Sequence, residues 1–594
     1  MKSRHTSSES RFSRAGNDSR SQSPRSNSFS FFFRKYPAFR AGIIFALAII
    51  AFFAVLIFTR QTRRVPAITS VTPSVGSPGD VMIINGINFG STKTSSDYVE
   101  VSGSRITASG FLSWSDTQIK LVLPQNAQDG LIKVGTKFGV SKPSFFANEA
   151  SIPVEVPSDT TTSLPSIASV SPSSLSVGNI LTINGANFGS SRNSSEVFFT
   201  ANRDDTSSSS LMTNTQKLIP DDIDFSFVAA NSEDFDYEYW SDSELRVRVP
   251  DGAKSGRIYV STENGESNSF EVEVKNRAGT KEYSARRTYL IELTVDIENI
   301  NSKSDTSLTL RVPRPPVTSS QPMSLLTECE PQPVLENHRN NVIHKIDFSK
   351  LGARTLKFKH NFAVAEYSVQ TNINPSLVKP FSETSRILYI QATVADRFTQ
   401  EETDALGNLA SAIVKNETNP YRQAKLIYDY MIDNYSISSA RQPEADPLDL
   451  IKENSGDAYD FAIIYTELLR SLKIPAVCVG GILVDLNLKT QSHWWTEFYI
   501  ENFGWVPVDT ALGAGMQYRA FRADTNAREY YFGNLDSQHI AFSRGRNETK
   551  LSLTNGTAVT IKRSYALQSI WEESSVGTVN YSSLWNIPIV RGIY

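Results

Sequence analysis

The stretch SGDAYDFAIIYTELLRSLKIP at residues 455–475 decides the fold of the C-terminal half of this chain. After the Ser-Gly-Asp start, its apolar residues recur at helical spacing, which predicts a buried helix. AVCVGGILV at 476–484 then indicates a buried strand, and HWWTEFYI at 493–500 and GWVPVD at 504–509 alternate like neighbouring antiparallel strands. The predicted order is helix, strand, histidine strand and aspartate strand.

These motifs resemble the transglutaminase-like superfamily. Its core pattern is G-x-C-x-D/E-[FY]-A, a helix ending in G/K-I-P, then H-x-W-x-E and G-W-x-x-x-D. The resemblance spans about residues 380–545, including YFGNLDSQHIAFSRG after the third motif. Residues 283–373, which alternate like strands, also resemble the β-domain that precedes the core in bacterial members. The resemblance implies an α+β, papain-like domain behind a further β-domain, and it favours a bacterial host.

The same resemblance assigns three roles, one of which this chain does not fill. A cysteine at the helix start is the family's nucleophile, a histidine relays the proton and an aspartate orients the histidine. Carried over, His493 is the base, Asp509 is its orienting partner and Ala458 stands at the nucleophile position. A methyl group cannot attack an acyl carbon, so the resemblance implies a pseudoenzyme.

Other residues near Ala458 do not fit the nucleophile's place. Ser455 precedes the helix, Tyr459 projects about 100° away from position 458, and Cys478 lies on the following strand. Cys329 and Cys478 are the only cysteines, and they lack the spacing of a zinc site, so we expect two free thiols. No metal and no cofactor is predicted.

The aromatic residues of the two strand motifs have two interpretations. Trp494, Trp495 and Trp505 can be core and cleft-wall residues, or they can bind a ligand. His493 and Asp509 can likewise form a hydrogen-bonded bridge without catalysis. A cleft that keeps these groups but lacks a thiol is suited to bind a peptide or glycan strand.

The N-terminal half contains an internal repeat. ITSVTPSVGSPGDVMIINGINFGS at 68–91 matches IASVSPSSLSVGNILTINGANFGS at 167–190, and a second pair of blocks matches at 114–124 and 240–250. The two offsets are 99 and 126 residues, so the second copy has gained 27 residues between the blocks. This insertion lies around 203–239, is acidic, and is expected to be a solvated surface loop.

Each repeat alternates short β-branched runs with Gly, Pro and Asn, which predicts an antiparallel sandwich. Asn85-Gly86 and Asn184-Gly185 follow apolar runs and are expected to supply positive φ angles. The I-x-S-V-x-P start, the G-x-N-F-G turn and the W-S-D block resemble the IPT/TIG family of immunoglobulin-like domains. The resemblance implies spacers or protein-binding surfaces.

One segment has the properties of a membrane anchor. AGIIFALAIIAFFAVLIFT at 41–59 is uncharged, long enough to cross a bilayer, and follows a Ser/Arg-rich tail. Residues 1–40 carry nine Lys/Arg and two acids, so they account for +7 and the remainder for −10 of the net −3. Positive charge before the span predicts a cytoplasmic N-terminus with the bulk outside. The acidic bulk argues against nucleic-acid binding.

The sequence therefore predicts a multidomain, single-pass membrane protein with two all-β immunoglobulin-like sandwiches, a further β-domain and an α+β transglutaminase-like domain. Its predicted parts are a disordered tail (1–40), a transmembrane helix (41–59), IPT/TIG-like domains (66–148 and 165–274), a β-domain (280–375), the transglutaminase-like domain (380–545) and a C-terminal extension (546–594).

Three functions remain open from the sequence. The first is an extracytoplasmic binding or scaffolding protein with an inactive domain and a protein, peptide or glycan ligand. The second is an active acyltransferase or peptidase acting on peptide or cell-wall amides. The third is a rigid end-piece without a ligand.

Overall fold

A computed structural model describes residues 65–594 except for a set of gaps. The gaps are 73–74, 77–78, 102–103, 125–126, 128–129, 149–162, 205–218, 221–222, 303–306, 339, 348–353, 385, 395–396, 439–445, 522–525, 546–549, 552–566, 568–569 and 575–578. The predicted membrane segment 41–59 and the tail lie outside the described residues. Within the described residues, no helix is long and apolar enough to span a bilayer.

The first repeat folds into a two-sheet sandwich, here called the first sandwich. One sheet has the order β1-β3-β7-β6, and the other has the order β2-β10-β8-β4-β5, with β9 paired to β8. The strands are β1 Ala67–Thr72, β2 Val75–Gly76, β3 Val81–Ile87, β4 Tyr98–Val101, β5 Ser104–Arg105, β6 Phe111–Trp114, β7 Gln118–Val122, β8 Gly130–Thr136, β9 Gly139–Val140 and β10 Ser144–Asn148.

The second repeat folds in the same way into the second sandwich. Its sheet orders, β11-β13-β17-β16 and β12-β20-β18-β14-β15, repeat those of the first sandwich strand for strand, and β19 pairs with β18. The strands are β11 Ser166–Ser171, β12 Ser174–Leu175, β13 Ile180–Ala186, β14 Glu196–Ala201, β15 Phe227–Ala229, β16 Tyr237–Trp240, β17 Glu244–Arg248, β18 Ala253–Thr262, β19 Gly265–Glu266 and β20 Phe270–Val274. The predicted pair of sandwiches is confirmed.

The two matched sequence blocks of each repeat contact one another. In the first sandwich, the Trp114 indole donates to the Phe89 carbonyl at 2.9 Å, and Asp116 accepts from the Gly90 amide at 3.0 Å. The second sandwich repeats both bonds, at 3.1 Å each, through Trp240 to Phe188 and Gly189 to Asp242. The G-x-N-F-G and W-S-D motifs of each repeat are therefore hydrogen-bonded to each other, through the same two bonds in both sandwiches.

The Asn-Gly pairs do not form turns, and that prediction was wrong. Asn85 and Gly86 lie inside β3, and the positive φ angles belong to Asn88 and Gly90 of the same motif. A Cβ on Gly86 would lie 2.1 Å from the Ala67 carbonyl oxygen and 2.3 Å from the Phe89 ring. Glycine is required there by the close approach of β1 and Phe89, and Gly185 repeats this environment in the second sandwich.

The acidic insertion is also not a solvated loop where it is described. Asp234 and Asp236 are buried, at 5% and 2% exposure. Asp234 forms a 2.6 Å ion pair with Arg544 of the C-terminal half, and the insertion also supplies β15 to the sheet. At least one acid of the insertion, Asp234, therefore pairs with a buried cation of another domain.

The β-domain follows the second sandwich and includes the C-terminus of the chain. One sheet has the order β23-β25-β21-β34 with β35 also on β21, and the other has the order β24-β22-β33-β32. Its strands are β21 Gly279–Ser302, β22 Ser307–Pro313, β23 Met323–Glu330, β24 Asn341–Asp347, β25 Leu356–Ile373, β32 Lys550–Leu551, β33 Trp571–Ser574, β34 Val579–Trp585 and β35 Ile589–Ile593. Residues 546–594 are therefore not a separate extension, because their strands complete both sheets.

The core domain joins helices to a sheet of order β30-β29-β28-β31. The predicted order of helix, strand, histidine strand and aspartate strand is confirmed, and the Thr399–Glu402 capping box and the Asn419-Pro420 start are present. The elements are α1 Ile387–Ala392, α2 Gln400–Val414, α3 Pro420–Asn434, β26 Ser436–Ile437, α4 Asp449–Glu453, β27 Ser455–Gly456, α5 Ala458–Ser471, β28 Ala476–Val484, β29 Thr490–Ile500, β30 Gly504–Val508, α6 Thr510–Gly513, α7 Ala527–Tyr530 and β31 His539–Arg544.

Candidate functional site

The first turn of α5 is held in place by a reciprocal cap. The Asp457 side chain accepts from the Asp460 amide at 3.1 Å, and the Asp460 carboxylate accepts from the Asp457 amide at 3.0 Å. This capping box starts the helix at Ala458, which is buried at 8% exposure. The position where the resemblance places a nucleophile is therefore a methyl group on a well-fixed first turn.

α5 packs across the face of β29 that carries Trp494 and Thr496. Thr496 donates to the Ala462 carbonyl at 3.1 Å and lies 3.0 Å from the Thr466 hydroxyl. At the start of the helix, the Tyr459 ring packs edge-on against Trp494 with centroids 4.9 Å apart. The first turn of α5 therefore contacts β29 through Trp494, the chain neighbour of His493.

His493 and Asp509 form the predicted pair. His493 Nε2 lies 2.5 Å from Asp509 Oδ2, and both side chains are fully buried. Asp509 Oδ1 accepts from the Leu512 amide at 2.8 Å, since Asp509 is also the N-cap of α6. The carboxylate is thus fixed at both oxygens, and it fixes the imidazole in turn.

A second histidine binds the same carboxylate. His539 on β31 places Nε2 3.1 Å from Asp509 Oδ2 and Nδ1 2.9 Å from Asp536 Oδ1. The Tyr531 hydroxyl donates to Asp536 Oδ2 at 3.0 Å. The site is therefore a buried chain of five side chains that alternates imidazole and carboxylate and ends in a phenol.

The network determines the protonation of its members. Burial alone would lower the pKa of His539, but the Asp536 and Asp509 carboxylates raise it to about 10. Burial would raise the pKa of Asp509, but His493 and His539 hold it well below its usual range. His539 is thus a buried imidazolium between two carboxylates.

His493 leaves one nitrogen unused. With Nε2 bonded to Asp509, its Nδ1 is buried without a hydrogen-bond partner among the described residues, and so is the Trp495 indole nitrogen. The His493 and Trp495 rings are stacked, with centroids 6.3 Å apart. In a neutral imidazole whose Nε2–H donates to Asp509, Nδ1 carries a lone pair, which is the form that a general base needs.

The donor atoms of His493, Asp509 and His539 lie within 4.8 Å of one another, a spacing that a metal ion could use. Both Nε2 atoms, however, already contact Asp509 Oδ2 as hydrogen-bond partners, and His539 is held in its imidazolium form. An imidazolium has no lone pair to offer a metal. The arrangement fits proton handling better than metal binding.

No other side chain named as a possible nucleophile takes over the role. Cys478 is buried on β28, and burial raises the pKa of its thiol to about 12, so the reactive thiolate is strongly disfavoured. The Tyr459 hydroxyl accepts from Arg397 at 3.1 Å, and Ser455 is paired into β27 opposite Ser436. Both predicted thiols are free, and no disulfide joins them.

The three tryptophans do not line one cleft, which corrects that prediction. Trp494 packs in the core with α5, whereas Trp495 lies beside His493. Trp505 contacts Tyr499 and the Arg544 guanidinium, at the junction with the second sandwich. Neighbouring residues of a strand point to opposite faces, so adjacent tryptophans cannot share a surface, and Trp505 pairs with Tyr499 rather than with the His493 end of β29.

Comparison with known families agrees with this architecture. Residues 407–510 match the transglutaminase-like superfamily, and residues 66–160 and 165–289 match the IPT/TIG domain. The chain therefore contains a transglutaminase-like domain behind IPT/TIG domains.

Two curated relatives match parts of the chain. An uncharacterized protein of Haemophilus influenzae is 26% identical over 165 residues, which is 23% of this chain and 45% of that protein. A cyclomaltodextrin glucanotransferase of Paenibacillus macerans is 38% identical over 81 residues, which is 14% of this chain and 11% of that enzyme. The chain thus spans less than half of the length of these relatives.

Two solved structures show weak overall similarity. A candidate cysteine protease from Cytophaga hutchinsonii has a TM-score of 0.32 at 16% identity, covering 50% of this chain and 92% of that one. The periplasmic domain of TgpA from Pseudomonas aeruginosa has a TM-score of 0.23 at 11% identity, covering 40% of this chain and 88% of that one.

Proposed function

We propose that this chain is a membrane-anchored, extracytoplasmic binding or scaffolding protein whose transglutaminase-like domain does not transfer acyl groups. The observation that carries the proposal is Ala458 at the start of α5, where the resemblance places the nucleophile, in a domain whose His493–Asp509 pair is formed. Removing the nucleophile alone from a comparable hydrolase costs on the order of 10^6 in turnover. An ordered base without a nucleophile therefore predicts negligible acyl transfer.

We expect the ligand to bind at His493 and Trp495. His493 Nδ1 and Trp495 Nε1 are buried polar atoms without partners among the described residues, and such atoms are costly unless something satisfies them. A peptide or a glycan strand offers both donors and acceptors at short spacing. The partial match to a glucanotransferase supports a glycan among the ligands to be tried.

The inactivity is tested on the full-length chain with an amine-incorporation assay and an amide-hydrolysis assay. We expect the native protein to be indistinguishable from His493→Ala in both assays. The rival function, an active acyltransferase or peptidase, predicts turnover that His493→Ala abolishes. That outcome would reject the proposal and require a nucleophile other than Ala458.

Ligand binding is tested by titrating the full-length chain with cell-wall peptides and oligosaccharides. Ala458→Phe enlarges a buried side chain at the first turn of α5 and is expected to weaken binding there, whereas Ala405→Phe on the exposed face of α2 is the control. If no ligand binds, the domain is a rigid end-piece. If both variants bind equally well, the ligand does not bind at the first turn of α5.

The membrane anchor rests on the sequence of residues 41–59. Deleting this segment is expected to move the chain from the membrane fraction to the soluble fraction of the cell. A deleted chain that stays in the membrane fraction would contradict the anchoring role.

A further inference from the structure

A cysteine and two histidines converge inside the β-domain, on strands separate from the His493 site. Cys329 on β23 lies directly opposite His360 on β25 in one sheet, and His344 on β24 faces them from the other sheet. Cys329 and His344 are 15 positions apart in sequence, and His344 and His360 are 16 positions apart, so no short motif predicts the cluster. The strand pairing alone brings them together.

The distances are close to those of a metal site. His344 Nε2 lies 2.8 Å from His360 Nε2 and 3.9 Å from Cys329 Sγ, and the three donor atoms lie within 4.8 Å of one another. Zinc bonds of about 2.0–2.1 Å to nitrogen and about 2.3 Å to sulfur place tetrahedral ligands about 3.3–3.7 Å apart. To match two edges of such a tetrahedron, the distance between the two histidine nitrogens must grow by about 0.5 Å and the distance from His344 Nε2 to the Cys329 sulfur must shrink by about 0.3 Å.

The surroundings hold the two histidines in place. His344 and His360 are buried at 1% and 0% exposure, and their rings pack against Phe358 and Phe362. Cys329 is half-buried, which leaves one side of the cluster open to solvent.

The thiol is the third member of the cluster. A hydrogen bond between two imidazoles would by itself explain the 2.8 Å contact of the histidines. It would not explain why the Cys329 sulfur, which lies 3.5 Å from the Pro331 carbonyl oxygen, also lies 3.9 Å from His344 Nε2.

We propose that Cys329, His344 and His360 bind a transition-metal ion of the zinc class, with the fourth position open to water. Borderline-soft ions such as Zn²⁺ and Co²⁺ prefer this set of one sulfur and two nitrogens over Mg²⁺ or Ca²⁺. On binding, the Cys329 thiol loses its proton and forms the metal–sulfur bond. The imidazole whose Nε2–H makes the 2.8 Å hydrogen bond shifts that proton to its own Nδ1, so that both Nε2 atoms donate a lone pair to the ion. One proton is released per ion, and the ion joins the two sheets.

The test uses the full-length chain stripped of metal and titrated with Co²⁺. A thiolate ligand gives a near-ultraviolet charge-transfer band, and tetrahedral cobalt gives strong visible bands. We expect both bands at one ion per chain, their loss in Cys329→Ser, and their retention in Cys478→Ser. Since the chain has two cysteines, Cys478→Ser is the matched control.

A second measurement uses the native chain, so that its result does not depend on whether the variants fold. Calorimetric titration of Zn²⁺ into the native chain, in buffers of different ionisation enthalpy, should show about one proton released per ion and a raised melting temperature for the β-domain. No binding to the native chain, or bands that survive Cys329→Ser and vanish in Cys478→Ser, would overturn the proposal. Binding to His344→Gln as tight as to the native chain would also overturn it.

Discussion

His539 Nε2 lies 3.1 Å from Asp509 Oδ2, the same oxygen that His493 contacts. Asp509 therefore lies between two histidines, and the carboxylates of Asp536 and Asp509 raise the pKa of His539 to about 10. The pair predicted from the sequence is one part of a longer buried network.

The first prediction concerns the dependence of stability on pH. The pKa of His539 in the folded chain exceeds its unfolded value of about 6.5, so its contribution is fully present below pH 6.5 and is lost as pH rises towards 10. Urea unfolding at pH 6 and pH 9 should show a fall in the free energy of unfolding for the native chain. The fall should be smaller in His539→Gln. An equal fall in both proteins would mean that His539 is not the buried cation.

The second prediction concerns the contact between the second sandwich and the core domain. Arg544 is buried and bonds Asp234 at 2.6 Å and Glu497 at 2.8 Å. Arg544→Met leaves the buried Asp234 and the partly buried Glu497 without their cation, which should cost about 3–5 kcal/mol in the free energy of unfolding.

The control for this contact is an exposed ion pair of the same sandwich. Arg246 pairs with Glu244 at 2.7 Å with half of its side chain exposed, so Arg246→Met should change stability by less than about 1 kcal/mol. Chemical denaturation of the full-length variants measures both values. Equal effects would show that the buried junction contributes no more than a surface pair.

The third prediction concerns the glycine inside β3. Gly86→Ala places a methyl group against the Ala67 carbonyl and the Phe89 ring, so β1 or the ring must shift. Overpacking of this kind costs about 1–3 kcal/mol. Differential scanning calorimetry should show a lowered transition for the first sandwich, and Gly185→Ala should lower that of the second sandwich. Unchanged transitions would contradict the close approach.

The sequence predicted those features that depend on local pattern or on ordered motifs. The sandwiches followed from the repeat, and the His493–Asp509 pair followed from two motifs on adjacent strands. The Asp509 contact with His539 could not be predicted in this way, because its register is set by the pairing of β28 with β31. The only sequence signal was the Asp536-x-x-His539 spacing in the segment after the third motif.

Long-range pairing also explains the errors. The strands β33, β34 and β35 complete sheets begun nearly 300 residues earlier, and periodicity does not reveal such partners. Asp234 looked like a solvated acid because its cation, Arg544, is distant in sequence. Asn85-Gly86 resembled a turn, because the sequence alone does not distinguish a glycine required by close approach of the backbone from one required by a positive φ angle.

The central claim is that the core domain is an intact acyl-transfer site without its nucleophile. Its most direct test is the activity of full-length Ala458→Cys, measured beside the native chain and the double variant Ala458→Cys, His493→Ala. We expect no amine incorporation or amide hydrolysis by the native chain, a gain of one of these activities in Ala458→Cys, and loss of that gain in the double variant. Activity in the native chain that depends on His493 would contradict it.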